Sequence, residues 1–297
     1  MSEPVLELRS ISKNFGSNEA LKDVNLTVPH GSLIVLLGPA GAGKTTTIRN
    51  LLGFANATSG TATIDGIDCR KNAEKLQNRI GYLPGEIAFL DNMTGMQFLT
   101  FMGDMRSTKD TNRRDELLVR FELDTTGKIK KMSKGMKQKL AIIAAFMHDP
   151  SIYILDEPTS GLDPFMQTIF MELLREEKGR GKTIMMSSHI FEEVQRICDR
   201  AGIIKDGRIV AVEDIQSLNE VKQMSYVVSV SDPADVEKLM GRGLNMEKIS
   251  NRRLSVTVRH NYQELFAALA DCSVVGLESQ SQSLEDVFMK YYGKEVE

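Results

Sequence analysis

The apolar run Leu33-Ile34-Val35-Leu36-Leu37 and the loop Gly38-Pro39-Ala40-Gly41-Ala42-Gly43-Lys44-Thr45 that follows it decide how the chain reads. The run has the length and composition of a strand buried on both faces. The loop fits the pattern GxxxxGK[ST], and Thr45 to Leu52 then carries helical spacing closed by Gly53. In such a strand, loop and helix unit, glycines let backbone N–H groups converge on phosphate oxygens, and the helix N-terminus adds partial positive charge. Lys44 is then placed to neutralise the β- and γ-phosphates of a nucleotide, and the Thr45 hydroxyl to ligate Mg²⁺. Gly38, Pro39, Ala40, Gly41, Ala42, Gly43, Lys44, Thr45 and Thr46 are therefore the candidate ATP-binding residues.

Further along, Ile152-Tyr153-Ile154-Leu155-Asp156-Glu157 is an apolar strand ending in two carboxylates. One acid of such a pair can reach a metal and the other an attacking water, so Asp156 is the expected Mg²⁺ ligand and Glu157 the expected base. Outward from these motifs, Val5 to Ser10 and Val24 to Val28 read as strands, and Gly60 to Gly66 reads as a hairpin segment. From about Ile87 to His148 helix formers dominate and strand signals are few, which suggests an inserted helical lobe. Asp163-Pro164 opens a helix running to Gly179, Thr183 to Ser187 is a strand, and a helix is expected from about Ile190. Strands alternating with helices imply a largely parallel sheet.

After the hairpin signal Ile204 to Ile209, the pattern changes near Ser217 to short segments. Strands are expected at Tyr226 to Ser231 and Leu254 to Val258, and further segments at Pro233 to Met240, Tyr262 to Ala270 and Ser283 to Tyr292. The expected division is a nucleotide-binding part, 1–216, with its helical subdomain at about 87–150, and an accessory α+β domain, 217–297.

With 297 residues, 41% hydrophobic and 26% charged, the chain has ordinary globular composition. Its formal charge of −3 argues against a protein held on nucleic acid by phosphate neutralisation, and no nucleic-acid partner is expected. The opening MSEPVLELRS has no apolar run behind a basic start, so no secretory signal is expected, and no apolar stretch approaches the ~20 residues of a membrane-crossing helix. Three scattered cysteines, Cys69, Cys198 and Cys272, suit a reducing compartment, and the cytoplasm is the expected location.

From about Leu6 to Val212 the chain resembles the ATP-binding cassette (ABC) ATPases. Beside the two motifs above, Ser133-Lys134-Gly135-Met136-Lys137-Gln138 resembles the family signature, Ser160-Gly161-Leu162-Asp163 its D-loop and Ser187-Ser188-His189 its switch histidine. The resemblance implies an α/β fold: a P-loop NTPase cassette with a mixed sheet, an antiparallel β subdomain and an inserted helical subdomain. It makes His189 a γ-phosphate contact, Phe15 an aromatic ring stacked on adenine, and Ser133, Gly135 and Asp163 groups that act on the nucleotide of a partner subunit. Read from the residues alone, Ser133 is equally a helix N-cap and Asp163 an N-cap before a first-turn proline.

The family architecture implies a head-to-tail pair of nucleotide-binding subunits, expected to be a homodimer, hydrolysing ATP with Mg²⁺ and driving an integral membrane permease from the inner face of the membrane. The ending Leu284-Glu285-Asp286-Val287-Phe288-Met289-Lys290 resembles the tails of cassettes serving multidrug, antibiotic or bacteriocin export. The alternative within the same resemblance is a soluble or regulatory cassette not coupled to transport. Two positions depart from the pattern: Gly85 stands where the family has glutamine, and Lys134 where the signature has glycine. Turnover is expected to survive the first with altered coupling. The second is acceptable if residue 134 has ordinary helical geometry.

Overall fold

Alternating apolar and polar side chains build an antiparallel pair, β1 (Leu6–Phe15) against β2 (Asn18–Val28), around the Gly16–Ser17 turn. Strand β1 runs beyond Ser10, where the sequence reading stopped. Register shifts between Leu8 and Ile11 and again between Ile11 and Lys13, with Ser10 at φ 49°, break the alternation that a periodicity argument needs. The computed structural model describes residues 4–106, 108, 110–191, 195, 197–215, 224–242, 244–258 and 262–281. Two compact units divide the chain, Met1–Ile215 and Gln216–Glu297.

In the first unit β3 (Leu33–Leu37) is buried at every position and leads through the glycine loop into α1 (Lys44–Leu51). The short strands β4 (Ser59–Ile64) and β5 (Ile67–Asp68) join β1 and β2 in an antiparallel sheet of order β2-β1-β4-β5. Next come α2 (Ala73–Gln77), β6 (Ile80–Leu83), α3 (Gly95–Met105), α4 (Asn112–Arg120), a 3-10 turn at Ile129–Lys131 and α5 (Lys134–Phe146). The rest of the unit supplies β7 (Ile152–Asp156), α6 (Pro164–Gly179), β8 (Thr183–Ser188), β9 (Arg200–Lys205) and β10 (Arg208–Asp214). Helical turns follow β8 at Phe191, Gln195 and Ile197, and the remainder of the helix expected from Ile190 lies outside the described residues.

The central sheet has the order β10-β9-β3-β8-β7-β6, parallel except for β10 at its edge. One buried cluster, including Leu8, Val24, Ile34, Ile48, Ile64 and Ile154, joins the antiparallel sheet, α1 and one face of the parallel sheet. This is the α/β cassette fold, with an antiparallel β subdomain and an inserted helical subdomain.

The second unit is a sheet of order β12-β13-β11-β14, formed by β11 (Met224–Val230), β12 (Asn245–Ser250), β13 (Arg253–Val258) and β14 (Val274–Ser281), with α7 (Pro233–Met240) and α8 (Tyr262–Leu269). Its core gathers Val228, Val236, Leu239, Leu254, Val256 and Leu265. Two of its strands, β12 and β14, had no sequence signal. Asn-Met-Glu-Lys-Ile-Ser is exposed at nearly every position of β12, so pairing and not an apolar face makes it a strand. The segment Ser283 to Tyr292 and the tail Leu284 to Lys290 lie outside the described residues.

Stacking and a buried charge seat the helical lobe on the sheet. Phe146 of α5 stacks on Tyr153 of β7 at 4.2 Å, and the Tyr153 hydroxyl donates to Glu177 of α6 at 3.1 Å. Glu177 is wholly buried, and Arg113 from α4 and Arg180 pair with it. A second seat lies at the start of β6: Arg106, capping α3, donates to the Ile80 carbonyl at 2.9 Å and touches His148, whose ring also reaches that carbonyl. Burial, and then the neighbouring guanidinium, push His148 down to about 4 from its ordinary 6.5. A histidine depressed in the folded state binds its proton more readily when unfolded, so its contribution is complete above 6.5 and is lost as pH falls toward 4. Urea midpoints should therefore drop between pH 7 and pH 5. In His148→Gln that slope should flatten, and an unchanged slope would remove His148 as its source.

Candidate nucleotide-binding site

Strands β3, β8 and β7 lie side by side and parallel, with Leu37 opposite Ser188 and Asp156 opposite Ser187. Parallel order brings their C-terminal ends to one edge of the sheet, where loops can converge on a ligand. The glycine loop leaves this edge with the Gly38 N–H on the Ser188 carbonyl at 3.4 Å. Gly38 has no room for a side chain, because a Cβ there would lie 2.5 Å from the Ile204 carbonyl oxygen. Gly43 takes a left-handed φ of 111° and turns the chain into α1. The β9–β10 turn straps the loop in place: the Gly207 N–H donates to the Ala42 carbonyl at 3.0 Å, and the Gly207 carbonyl accepts from Lys22 of β2 at 2.8 Å.

Lys44 is only 5% exposed and begins α1. Its Nζ donates to the carbonyls of Gly38 at 2.7 Å and Pro39 at 3.1 Å, and stands 3.4 Å from Glu157 Oε1. Beside it lies a cleft of about 460 Å³ lined by Ala40, Gly41, Gly43, Lys44, Thr45, Thr46 and Glu157 from the motifs, and by Asn18 to Ala20, Lys22, Asp206 and Gly207. The cleft meets the first turn of α1, whose N–H groups have no partner within the helix, next to a buried ammonium. That combination suits an anion.

On the far strand, Asp156 is 1% exposed, and such a carboxylate needs a donor. Ser187 supplies it: Ser187 Oγ donates to Asp156 Oδ1 at 2.5 Å and accepts from the Glu157 N–H at 2.9 Å. Glu157 itself holds φ at 46°, a left-handed geometry that costs a branchless acid roughly 1 kcal/mol or more and that this hydrogen bond helps retain. His189 Nδ1 is 3.6 Å from Glu157 Oε2. Burial, followed by the charge of Asp156, pushes the Tyr82 phenol at the end of β6 up to about 12. Gly85 also borders Asp156, since a Cβ on it would meet Asp156 Oδ2 at 3.2 Å.

The Thr45 hydroxyl and the Asp156 carboxylate are hard oxygen donors, the type that suits Mg²⁺. Among the described residues no group of three or more His, Cys, Asp or Glu is gathered to hold a metal.

Other expected site residues stand outside this cleft. Ser133 caps α5, accepting from the Met136 N–H at 3.2 Å, and Asp163 caps α6, accepting from the Met166 N–H at 2.9 Å. Gly135 lies in the first turn of α5. Lys134 is helical and absent from the residues with positive φ, so the lysine brings no backbone strain. Phe15, 53% exposed, ends β1 with Lys13 Nζ 4.7 Å from its ring centre. None of these lines the cleft. Asn18, Glu19, Ala20 and Lys22 do line it without belonging to any motif, and so does Asp206, which the sequence marked only as part of a hairpin, because the fold alone brings a β-hairpin and a distant turn to the loop.

The ABC transporter family matches the chain over residues 21–160. It is 32% identical over 295 residues to the uncharacterized ABC transporter ATP-binding protein YdbJ of Bacillus subtilis, covering 98% of this chain and 96% of that protein. It is 31% identical over 299 residues to the Nod factor export ATP-binding protein I of Burkholderia lata, covering 98% of each. Among solved structures it is similar, with a TM-score of 0.63 and 25% identity over 71% of this chain and 98% of the other, to the dimeric post-hydrolysis state of the ATP-binding cassette MJ0796 bound to ADP and Pi. A glycine loop, a buried lysine and an acid pair meeting at one sheet edge, and a likeness running nearly end to end, place this chain in the ABC transporter family as an ATP-binding protein.

Proposed function

We propose that the chain is an ATP-hydrolysing motor subunit that closes as a head-to-tail pair around ATP and drives export through a separate membrane permease. One observation carries the reading. A single chain lines one cleft with Lys44, Thr45 and Glu157, with Asp156 tied to the Glu157 backbone through Ser187 and His189 3.6 Å from the Glu157 carboxylate, while Ser133, Gly135 and Asp163 lie at the starts of α5 and α6 and do not line it. A second copy placed head to tail would bring those three to the first copy's nucleotide. The dimeric cassette bound to ADP and Pi supports pairing and hydrolysis, and the Nod factor export relative supports export.

In this reading backbone N–H groups of Gly41 to Thr45 and the Lys44 ammonium bind the β- and γ-phosphates. Thr45 and Asp156 would hold Mg²⁺, which supplies charge neutralisation on the phosphates when bound. Glu157 accepts the proton of the attacking water, with its backbone fixed by Ser187, and His189 orients Glu157 and meets the γ-phosphate. Phe15 supports adenine from the end of β1. ATP draws the pair closed, hydrolysis lets it open, and the two states are what a permease can convert into movement.

The surface for such a partner is the apolar groove between α2, β6, α3 and the residues that follow α1, about 170 Å³, where Phe54 is 60% and Met105 68% exposed. Tyr82 at its floor meets Phe54 edge-on and lies in β6, which ends two residues before Gly85 beside Asp156. A helix or loop of the permease docked there would bear on the acid strand. Among the described residues no helix is long and apolar enough to cross a membrane.

Three outcomes test the reading. Glu157→Gln should abolish Mg²⁺-dependent ATP hydrolysis and give a dimer by light scattering only when ATP is present; a monomer under all conditions would sink the pairing. Ser187→Ala leaves Asp156 without its donor and should lower kcat by roughly ten- to a hundredfold with little change in fold, as far-UV circular dichroism would check. In cell fractionation the native chain should sediment with membranes and the double variant Phe54→Asp, Met105→Asp should not. Equal sedimentation would move the docking surface elsewhere.

A further inference from the structure

The first turn of α5 and the turn after β7 touch at three points. Lys134 Nζ donates to Ser160 Oγ at 3.3 Å. The Lys134 stem lies flat over Gly161, whose added Cβ would meet its Cγ, Cδ and Cε at 3.1 Å. Gly135 approaches the Gly161 carbonyl so closely that a Cβ on it would come within 3.0 Å. Behind them, buried Gln138 donates through Nε2 to the Pro158 carbonyl at 2.6 Å. The same turn begins at Glu157, closes on itself through the Ser160 N–H to the Glu157 carbonyl at 3.1 Å, and carries Glu157 Oε1 to within 3.4 Å of Lys44.

We propose that Lys134 is a positioning residue that grips Ser160 and Gly161, locking the phosphate-facing end of α5 to the turn that bears Glu157. The glycine expected at this place in the signature could not do this, because it has no side chain to reach Ser160. The grip rests on the reading that the chain pairs around ATP. It makes two surfaces one body: the Glu157 turn, which serves the chain's own cleft, and Ser133 with Gly135, which face the partner's. A change at one nucleotide is then felt at the other without passing through the rest of the fold. An exposed lysine bonded to a hydroxyl adds little stability. Its value lies in geometry, where a displacement of about 1 Å in a phosphate ligand can cost a hundredfold in rate.

The test measures the ATP-driven dimer dissociation constant by sedimentation in a Glu157→Gln background. Added to it are Lys134→Ala, Lys134→Arg, Ser160→Ala and the Lys134→Ala, Ser160→Ala pair. Affinity of the isolated chain for a fluorescent ATP analogue in excess EDTA serves as the control. Lys134→Ala should weaken the dimer roughly tenfold, Ser160→Ala should do much of the same, and the pair should be no worse than Lys134→Ala alone, as contacting residues show. Lys134→Arg should restore most of the loss, and EDTA affinity should not move. An unchanged dimer in Lys134→Ala overturns the proposal. So do additive losses, which would mean that Lys134 acts through its charge on the partner's nucleotide and not through Ser160. A Glu157→Gln chain that stays monomeric with Lys134 intact marks the failure of the pairing itself and takes this proposal with it.

Discussion

A buried carboxylate organises the site. Asp156 ends a strand with no exposed position, where an unpaired charge would be costly, and one hydroxyl resolves the problem twice over. Ser187 Oγ donates to Asp156 and accepts from the Glu157 N–H, so a single serine fixes the acid and the backbone of the residue after it. Because Ser187 sits opposite Asp156 in the parallel register, this contact exists only while β7 and β8 are paired in that register. The left-handed turn at Glu157 follows from the same bond and aims the second acid at Lys44. Shape of the sheet and chemistry of the site are therefore one constraint.

The glycine loop obeys a related constraint of space. Gly38 runs against the Ile204 carbonyl, and the loop is tied on its other side through Gly207 to β2. These ties hold the N–H groups of the loop rigid before any phosphate arrives, which lowers the ordering cost of binding. They also explain why an antiparallel sheet is attached to the parallel one at all: its β2 strand forms a wall of the cleft.

The two departures from the family pattern look alike in sequence and differ in structure. Gly85 places no side chain beside Asp156, where a Cβ would meet Asp156 Oδ2 at 3.2 Å. Lys134 adds a side chain, which spans to Ser160 on the turn following Glu157. One change removes a side chain from beside Asp156, and the other adds one between α5 and the turn that begins at Glu157.

Local sequence was enough for the parts whose physics is local. The buried run Leu33 to Leu37, the glycines that must turn or yield space, the N-caps Ser133 and Asp163 and the acids closing β7 all announce themselves within a few residues, since burial, φ and capping act over that range. The motifs in their order also sufficed for the family. What tertiary structure alone decided is everything that depends on long-range pairing: the course of β1 beyond its bulges, the nearly all-exposed strand β12 and the strand β14 that pairs with β11, and the wall of the cleft built from Asn18, Glu19, Ala20, Lys22 and Asp206. Ser187 belongs with these. Its residue type was visible in the sequence, but its role comes from a neighbour 31 positions away that only strand register brings within a hydrogen bond.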